Sequence, residues 1–202
     1  MKSKPYWEKY KVDVPEGESG IWRVEKFNIS DDEAKFYNVR SSVHGGRGGH
    51  VQPGNYTRLM RRNSCDNPIM SDTPDEIADH LYPINQAKGH VLINGLGLGV
   101  VLNGCLIKKE VEKVTIIELS EDVIKLVEPH YRTKYGNRFE VIHADAFEFS
   151  PPKGTRYNMV WSDIWDNICE DNWDSYKKLK RKYCRKSDWY GAWKEDRVKG
   201  RY

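Results

Sequence analysis

The sequence predicts an α/β fold, in which a parallel β-sheet with flanking helices follows a small N-terminal extension of β-hairpin and loop. From residue 90 onward, short apolar runs alternate with helical stretches, which is the pattern of parallel βαβ units. Glycine turns and acidic residues follow these runs. The chain of 202 residues has the length of one domain, or of one domain with a small appendage. We expect the extension at residues 1–86, with a helix at about 74–82, and the sheet domain at residues 87–202.

The composition excludes several classes of protein. Charged residues make up 31% of the chain, yet seven Trp and twelve Tyr are too many aromatic residues for a disordered protein. The longest stretch without a formal charge, apart from His, is residues 90–107, which is too short and too polar to span a bilayer. The four cysteines form no CxxC pair, and no apolar segment of a signal peptide follows the N-terminus. We therefore expect a reduced, cytoplasmic protein without a metal site or a membrane partner.

The N-terminal extension begins with one clear strand signal. Residues 22–27 alternate apolar and polar side chains and predict a half-buried strand, with residues 34–39 as its partner. Residues 45–49 read Gly-Gly-Arg-Gly-Gly and predict a mobile loop with Arg47 at its tip. This loop is either a plain hairpin connection, which we favour, or a segment that closes over an anionic group.

The residues just before the sheet domain predict the start of a helix. Thr73 is placed to cap the N–H of Glu76, Glu76 to reach back to the N–H of Thr73, and Pro74 occupies the first helical position. Pro83 is expected to end this helix.

The sheet domain contains five predicted strands. The strands are expected at residues 91–93, 114–117, 139–142, 157–161 and 189–193. Helices are expected between the first three strands, at residues 100–107 and 121–131. A further helix is predicted by an aromatic and apolar stripe at Trp173, Tyr176, Leu179 and Tyr183.

The C-terminal segment carries the positive charge of the chain. Residues 177–202 contain 11 Lys and Arg against 3 Asp and Glu, a net charge of +8, although the whole chain carries only +3. This segment is either a surface for nucleic acid or for an acidic substrate, or a solvated lysine face, which we favour.

Distinctive residues follow each of the first four sheet strands. In an open parallel sheet, ligands bind beyond the carboxyl ends of the strands. Glu118 lies 23 positions after Gly95, a spacing that suits an acid hydrogen-bonded to a ribose diol. Together with the neighbouring glycines, Asp145, Asp163 and Asp166, it predicts a nucleoside site.

Four segments carry a family resemblance. Residues 91–99 read Val-Leu-Ile-Asn-Gly-Leu-Gly-Leu-Gly, and residues 117–124 read Ile-Glu-Leu-Ser-Glu-Asp-Val-Ile. Residues 144–147 read Ala-Asp-Ala-Phe, and residues 157–166 read Tyr-Asn-Met-Val-Trp-Ser-Asp-Ile-Trp-Asp. In these segments the sequence resembles the class I S-adenosylmethionine-dependent methyltransferase superfamily, and within it the spermidine-synthase branch.

The resemblance implies a Rossmann-like fold that binds S-adenosyl-L-methionine, with decarboxylated S-adenosylmethionine as the alternative. It implies that the glycines line the methionine portion, that Glu118 holds the ribose hydroxyls and that Asp145 meets the adenine amine. Asp163 is implied to lie beside the reacting centre. The cofactor-binding residues expected on this basis are Asn94, Gly95, Gly97, Gly99, Glu118, Asp145 and Ala146.

Three features depart from the family pattern. Asn94 stands where the family has an acid before the glycines, and Ser120 stands where the polyamine branch commonly has an acid. About 36 residues follow Asp166, too few for the family's complete seven-stranded sheet. We therefore expect a sheet that is truncated at its C-terminal edge.

The expected reaction is methyl transfer to a small or medium-sized acceptor. Asp163 would take or orient the proton of the acceptor, and Asp166 would either hold a second cationic group or cap the following helix. The alternatives are a spermidine-synthase-like aminopropyltransferase and a catalytically silent module that binds a nucleoside or a protein. Nucleic acid is a less favoured partner, because no Asp-Pro-Pro-aromatic motif follows the fourth strand. A homodimer is left open.

Overall fold

The computed structural model describes residues 5–43, 51–62, 68–167 and 169–199. The predicted loop with Arg47 at its tip lies outside these residues. Within them the chain forms an antiparallel sheet of four strands, in the order β1-β2-β3-β4, and a parallel sheet of five strands, in the order β7-β6-β5-β8-β9. The strands are β1 (Gly17–Ser19), β2 (Trp22–Ile29), β3 (Gly54–Arg61), β4 (Met70–Ser71), β5 (Gly89–Asn94), β6 (Val111–Glu118), β7 (Phe139–His143), β8 (Tyr157–Ser162) and β9 (Ser187–Ala192). The α-helices are α1 (Asp31–Val43), α2 (Pro74–Gln86), α3 (Val100–Leu106), α4 (Glu121–Tyr135), α5 (Trp173–Tyr183) and α6 (Glu195–Val198).

The predicted strand at residues 22–27 is present as β2, but its predicted partner is wrong. Residues 34–39 belong to helix α1, and β2 pairs with β3 instead. The reason is a helix cap. Ser30 donates its N–H and its hydroxyl to Glu33 Oε2, at 2.8 and 2.7 Å, and the N–H of Glu33 donates to Ser30 Oγ at 3.3 Å. This reciprocal bonding starts a helix and outweighs the weak alternation that follows it.

Helix α2 begins at Pro74, as predicted, but two details of the prediction are wrong. The Thr73 hydroxyl lies 3.0 Å from Ser71 Oγ and forms no capping bond with the helix. The helix also continues through Pro83 to Gln86, because the ring is buried against the core and the N–H of Ala87 closes the next turn on the Pro83 carbonyl at 3.1 Å. Only the one hydrogen bond that a proline cannot donate is lost.

The parallel sheet confirms the α/β fold class. Numbered by their own order along the chain, its strands are arranged 3-2-1-4-5, the doubly wound order of Rossmann-like sheets. All five predicted strands are present, and the fifth, β9, runs parallel to β8. Helix α4 extends to Tyr135 rather than to residue 131.

The two faces of the parallel sheet bury different side chains. Val91 and Ile93 of β5 join a core that includes residues of the antiparallel sheet and of helices α2, α3 and α4. Leu92 points to the opposite face, where it packs in a cluster with Leu179 and Tyr183 of α5. Successive residues of a strand face opposite ways, so helices cover both sides of the sheet. The predicted division of the chain at residues 86 and 87 stays a prediction.

The aromatic stripe of the basic helix is confirmed. Tyr176, Leu179 and Tyr183 are fully buried on α5, and Trp173 is half-buried. No helix in the described part of the chain is both long and apolar enough to cross a bilayer.

Candidate functional site

A cavity of about 450 Å³ opens at the carboxyl ends of the parallel strands. The glycine turn after β5 and Glu118 at the end of β6 line it, together with Asp145, which follows β7, and Asp163, which follows β8. The sheet order places β5 between β6 and β8, so the chain leaves β5 at the point where the connections change direction. This is where an open α/β sheet forms its ligand crevice.

The switch point is closed by hydrogen bonds between β5 and β8. The N–H of Asp163 donates to the Asn94 carbonyl at 2.8 Å, and Asn94 Nδ2 donates to Ser162 Oγ at 2.9 Å. Asn94 is fully buried and does not line the cavity. In the structure its side chain fastens the two strand ends together behind the glycine turn.

The three glycines of the turn have left-handed backbones but different surroundings. Gly95 (φ +96°) and Gly97 (φ +49°) line the cavity, and Gly99 (φ +77°) does not. A Cβ at Gly95 would lie 2.0 Å from the Asp163 carbonyl oxygen, so no other residue fits there. A Cβ at Gly99 would meet the ring of Tyr131 at 2.3 Å. The structure therefore brings two of the three glycines to the cavity.

Glu118 is held by the loops on either side of it. Its Oε2 accepts the N–H of Leu96 at 2.7 Å, and its Oε1 accepts the N–H of Ser120 at 2.8 Å. Each carboxylate oxygen has a second lone pair. The side chain is therefore oriented in advance and still able to accept hydrogen bonds from a vicinal diol.

Asp145 and Ala146 form the neighbouring part of the wall. Asp145 Oδ1 accepts the N–H of Phe147 at 2.7 Å, and among the described residues its Oδ2 accepts no hydrogen bond. The carbonyl of Ala146 accepts the Tyr183 hydroxyl at 2.9 Å, which ties this loop to helix α5. Asp145 is thus fixed in place by Oδ1, and its Oδ2 is able to accept a hydrogen bond from a ligand.

Asp163 lies in the most unusual electrostatic environment of the cavity. Burial, together with the carboxyls of Glu76 and Asp79, raises the pKa of Asp163 to about 8. His80 Nε2 lies 3.6 Å from Asp163 Oδ2, but burial lowers the pKa of His80 to about 4, so this imidazole is neutral at pH 7. The contact is therefore not an ion pair, and no Lys or Arg that the structure describes pairs with Asp163.

Asp166 also lines the cavity, but a cation of the chain already holds it. Arg61 Nη1 lies 2.7 Å from Asp166 Oδ2, and the guanidinium lies 4.9 Å from the ring centre of Trp22. The alternative expectation that Asp166 caps the next helix is wrong, because Asn172 precedes the first residue of α5.

The sequence patterns did not identify two of the residues that line the cavity, and both belong to helix α2. Glu76 and His80 line the cavity, where they face the loop that follows β8. They are spaced i and i+4, so they share one face of the helix. That spacing of two ionisable residues on an otherwise apolar face was the available signal, and the capping assignment of Glu76 concealed it.

The basic C-terminal segment forms ion pairs with acidic residues of the chain. Lys180 pairs with Glu195 at 3.0 Å and Lys177 with Asp174 at 2.5 Å, so part of the positive charge is matched within the chain. In the described residues, no group of three or more His, Cys, Asp or Glu is arranged to hold a metal ion.

Comparisons with known proteins give similarity to solved structures only. No family model matches the chain, and no curated protein matches its sequence. It is similar to a dimethyladenosine transferase from Plasmodium falciparum, with 22% identity over 46% of this chain and 32% of that chain and a TM-score of 0.38. It is also similar to the CcbJ methyltransferase from Streptomyces caelestis, with 20% identity over 55% and 45% of the two chains and a TM-score of 0.42. A third is an S-adenosylmethionine-dependent methyltransferase from Clostridium acetobutylicum, with 11% identity over 76% and 52% and a TM-score of 0.43.

The aligned part of the chain thus spans between about a third and about half of the length of these three structures.

Proposed function

We propose that this protein transfers a methyl group from S-adenosyl-L-methionine to a small or medium-sized acceptor. One observation carries the proposal. A single cavity at the switch point is lined by the glycine turn, by Glu118, by Asp145 and by Asp163. These four parts come from four different strand ends, so their convergence is a property of the folded chain.

The residues present fit the cofactor. Gly95 and Gly97 provide a cradle that a Cβ would fill, since a side chain at either position would overlap Asp163 or Met70. Glu118 presents oriented oxygens to the ribose hydroxyls, and Asp145 presents a carboxylate oxygen to the adenine amine. S-adenosylmethionine supplies a methyl group on a positively charged sulfur.

Asp163 is the candidate catalytic residue. It is fixed to β5 through its N–H, and a buried carboxyl whose pKa is about 8 exchanges protons near neutral pH. A general base is most effective when its pKa lies near the working pH. Asp163 therefore orients the acceptor and takes its proton as the acceptor becomes a nucleophile.

Titration calorimetry tests the cofactor assignment. We expect S-adenosylmethionine and its demethylated product to bind, and Glu118→Ala to weaken binding by about 1–3 kcal/mol, because the ribose hydroxyls lose a charged acceptor. Glu112→Ala, on the same strand but exposed, is the matched control and is expected to bind as the wild type does. Unchanged affinity in Glu118→Ala would refute the ribose role. Tighter binding of decarboxylated S-adenosylmethionine would favour aminopropyl transfer instead.

The same preparation tests Asp163. We expect Asp163→Asn to bind the demethylated product as well as the wild type does, and to form none of it from S-adenosylmethionine with any acceptor that the wild type methylates. Turnover that survives in this variant would show that Asp163 is not the base. A folded wild type that binds none of the three sulfur compounds would overturn the proposed function.

A further inference from the structure

One end of the cavity is built by residues that the cofactor assignment does not use. Glu76 and His80 of α2 line the cavity together with Trp161, Asp163 and Trp193. The His80 and Trp161 rings meet edge to face, with centroids 6.3 Å apart. The backbone N–H of Trp193 donates to the carbonyl of Ser162, the residue before Asp163. We call this end the α2 chamber.

The α2 chamber holds two carboxyls, those of Glu76 and Asp163. Lys194 acts on Glu76 but forms its ion pair with Asp79, and Arg61, which also lines the cavity, pairs with Asp166. In the described part of the chain, no Lys or Arg forms an ion pair with Glu76 or Asp163. Burial and neighbouring carboxyls raise the pKa of Glu76 to about 7 and that of Asp163 to about 8. Buried carboxyls of this kind favour a cation beside them and repel an anion.

The α2 chamber also holds buried groups that can form hydrogen bonds. His80 is 1% exposed and Trp161 is 5% exposed. Among the described residues, neither ring nitrogen of His80 has a hydrogen-bond partner, and the indole N–H groups of Trp161 and Trp193 also have none. Buried polar groups in folded proteins are almost always paired, with a ligand or water when not with protein. These groups therefore mark a place for a ligand that carries a hydrogen-bond acceptor.

The two indoles add a third property. A ring face attracts a positive charge and packs against flat apolar groups. An anion would meet the two carboxyls, and a purely apolar ligand would leave both the carboxyls and the N–H groups unpaired. One ligand class satisfies all of these groups.

We propose that the α2 chamber binds the methyl acceptor, and that this acceptor is a protonated amine with an aromatic body and a hydrogen-bond-accepting oxygen. This inference rests on the proposed function only in that it calls the ligand a methyl acceptor. The chamber and its ligand class are defined by the residues themselves. Glu76 is the specificity-determining residue, because its side chain lines the cavity from helix α2 and is not part of the loop after β8 that carries Asp163.

Four simple compounds that differ in charge and oxygen content test the ligand class. Phenylalaninol is a cationic amine with a hydroxyl, phenethylamine is a cation without oxygen, hydrocinnamyl alcohol is neutral, and hydrocinnamate is an anion. Each is titrated into the full chain saturated with S-adenosylhomocysteine, followed by calorimetry and by tryptophan fluorescence. We expect phenylalaninol to bind about tenfold more tightly than hydrocinnamyl alcohol and more tightly than phenethylamine, and hydrocinnamate not to bind.

A pair of variants tests the residue. Glu76→Gln keeps the shape of the side chain and removes its charge, so we expect phenylalaninol to bind about five- to tenfold more weakly and S-adenosylhomocysteine to bind unchanged. Glu110→Gln, an exposed position, is the control and is expected to change neither affinity.

The outcomes separate this inference from the proposed function. Equal or tighter binding of the alcohol or of the anion overturns the inference, as does binding of S-adenosylhomocysteine without any binding of the amines. Loss of amine binding in Glu110→Gln as large as in Glu76→Gln also overturns it. Amine binding that depends on Glu76, in a protein that does not bind S-adenosylhomocysteine, supports the chamber and removes the proposed function.

Discussion

Gly99 shows how one residue can matter to a site without touching it. Its left-handed backbone starts helix α3, and the space that a Cβ would need is filled by the ring of Tyr131 from helix α4. The Tyr131 hydroxyl donates to the carbonyl of Leu98 at 2.7 Å. The glycine turn is thus supported from behind by a buried tyrosine.

We predict that Tyr131→Phe lowers the free energy of unfolding by about 1–3 kcal/mol, because the buried carbonyl of Leu98 loses its donor while the ring still fills the space. Urea unfolding at constant pH measures the change. Tyr37→Phe, whose side chain is 51% exposed on α1, is the control, and we expect it to change the free energy by no more than about 0.5 kcal/mol. Equal effects of the two substitutions would contradict the supporting role of Tyr131.

At the scale of elements, the cavity residues at the strand ends could be predicted from the sequence, and those on helix α2 could not. The apolar runs fixed β5, β6, β7 and β8, and a parallel sheet necessarily brings their carboxyl ends to one edge. Glu118, Asp145 and Asp163 follow from that geometry. Glu76 and His80 do not, because their position depends on how α2 packs against the sheet, a contact between segments that lie far apart in the sequence.

Local signals also competed with one another. The Ser30 and Glu33 side chains form a cap that the alternating pattern at residues 34–39 obscured. The similar pattern at Thr73 and Glu76 does not form a cap, because Glu76 lines the cavity. Sequence spacing cannot tell these two cases apart, since the difference lies in what each glutamate faces in the folded protein.

Helix α5 is attached to the sheet by its buried stripe, and Leu179 is its fully buried aliphatic residue. We predict that Leu179→Ala lowers the free energy of unfolding by about 2–5 kcal/mol, because it removes buried methyl groups and leaves a cavity. Arg181→Ala, on the exposed side of the same helix, is expected to have an effect within about 0.5 kcal/mol. Denaturant unfolding of both variants checks this, and a small effect of Leu179→Ala would show that α5 packs loosely.

For the whole molecule, the cavity imposes a stability cost that depends on pH. Burial shifts the pKa of Glu76, His80 and Asp163, and the charged groups that act on these three, besides one another, are Asp75, Asp79 and Lys194. Two of them, Glu76 and Asp163, have a pKa of about 7 and about 8, well above their ordinary values of 4.5 and 3.8. Below those ordinary values they are protonated in both the folded and the unfolded chain, and they then contribute no difference in stability.

As the pH rises, the unfolded chain releases these two protons first, so the folded state holds more protons and loses stability. The free energy of unfolding keeps falling until the pH reaches the pKa that each carboxyl has in the folded state. The slope is at most about 1.4 kcal/mol per pH unit for each group. His80 acts in the opposite direction, but only below its ordinary pKa of 6.5, since its folded pKa is about 4. Between about pH 6.5 and 8 the two carboxyls therefore dominate this part of the pH dependence.

We predict that the free energy of unfolding falls between about pH 6.5 and 8.5 in the ligand-free protein, and that Asp163→Asn makes this dependence flatter. Urea unfolding of the two proteins, measured across this pH range in one buffer mixture at fixed ionic strength, checks both statements. Glu76→Gln removes the other carboxyl and should flatten the curve in the same way, over a slightly lower range of pH. A wild-type stability that is constant or rises over this range would mean that Glu76 and Asp163 are already ionised at neutral pH, with counterions other than those described.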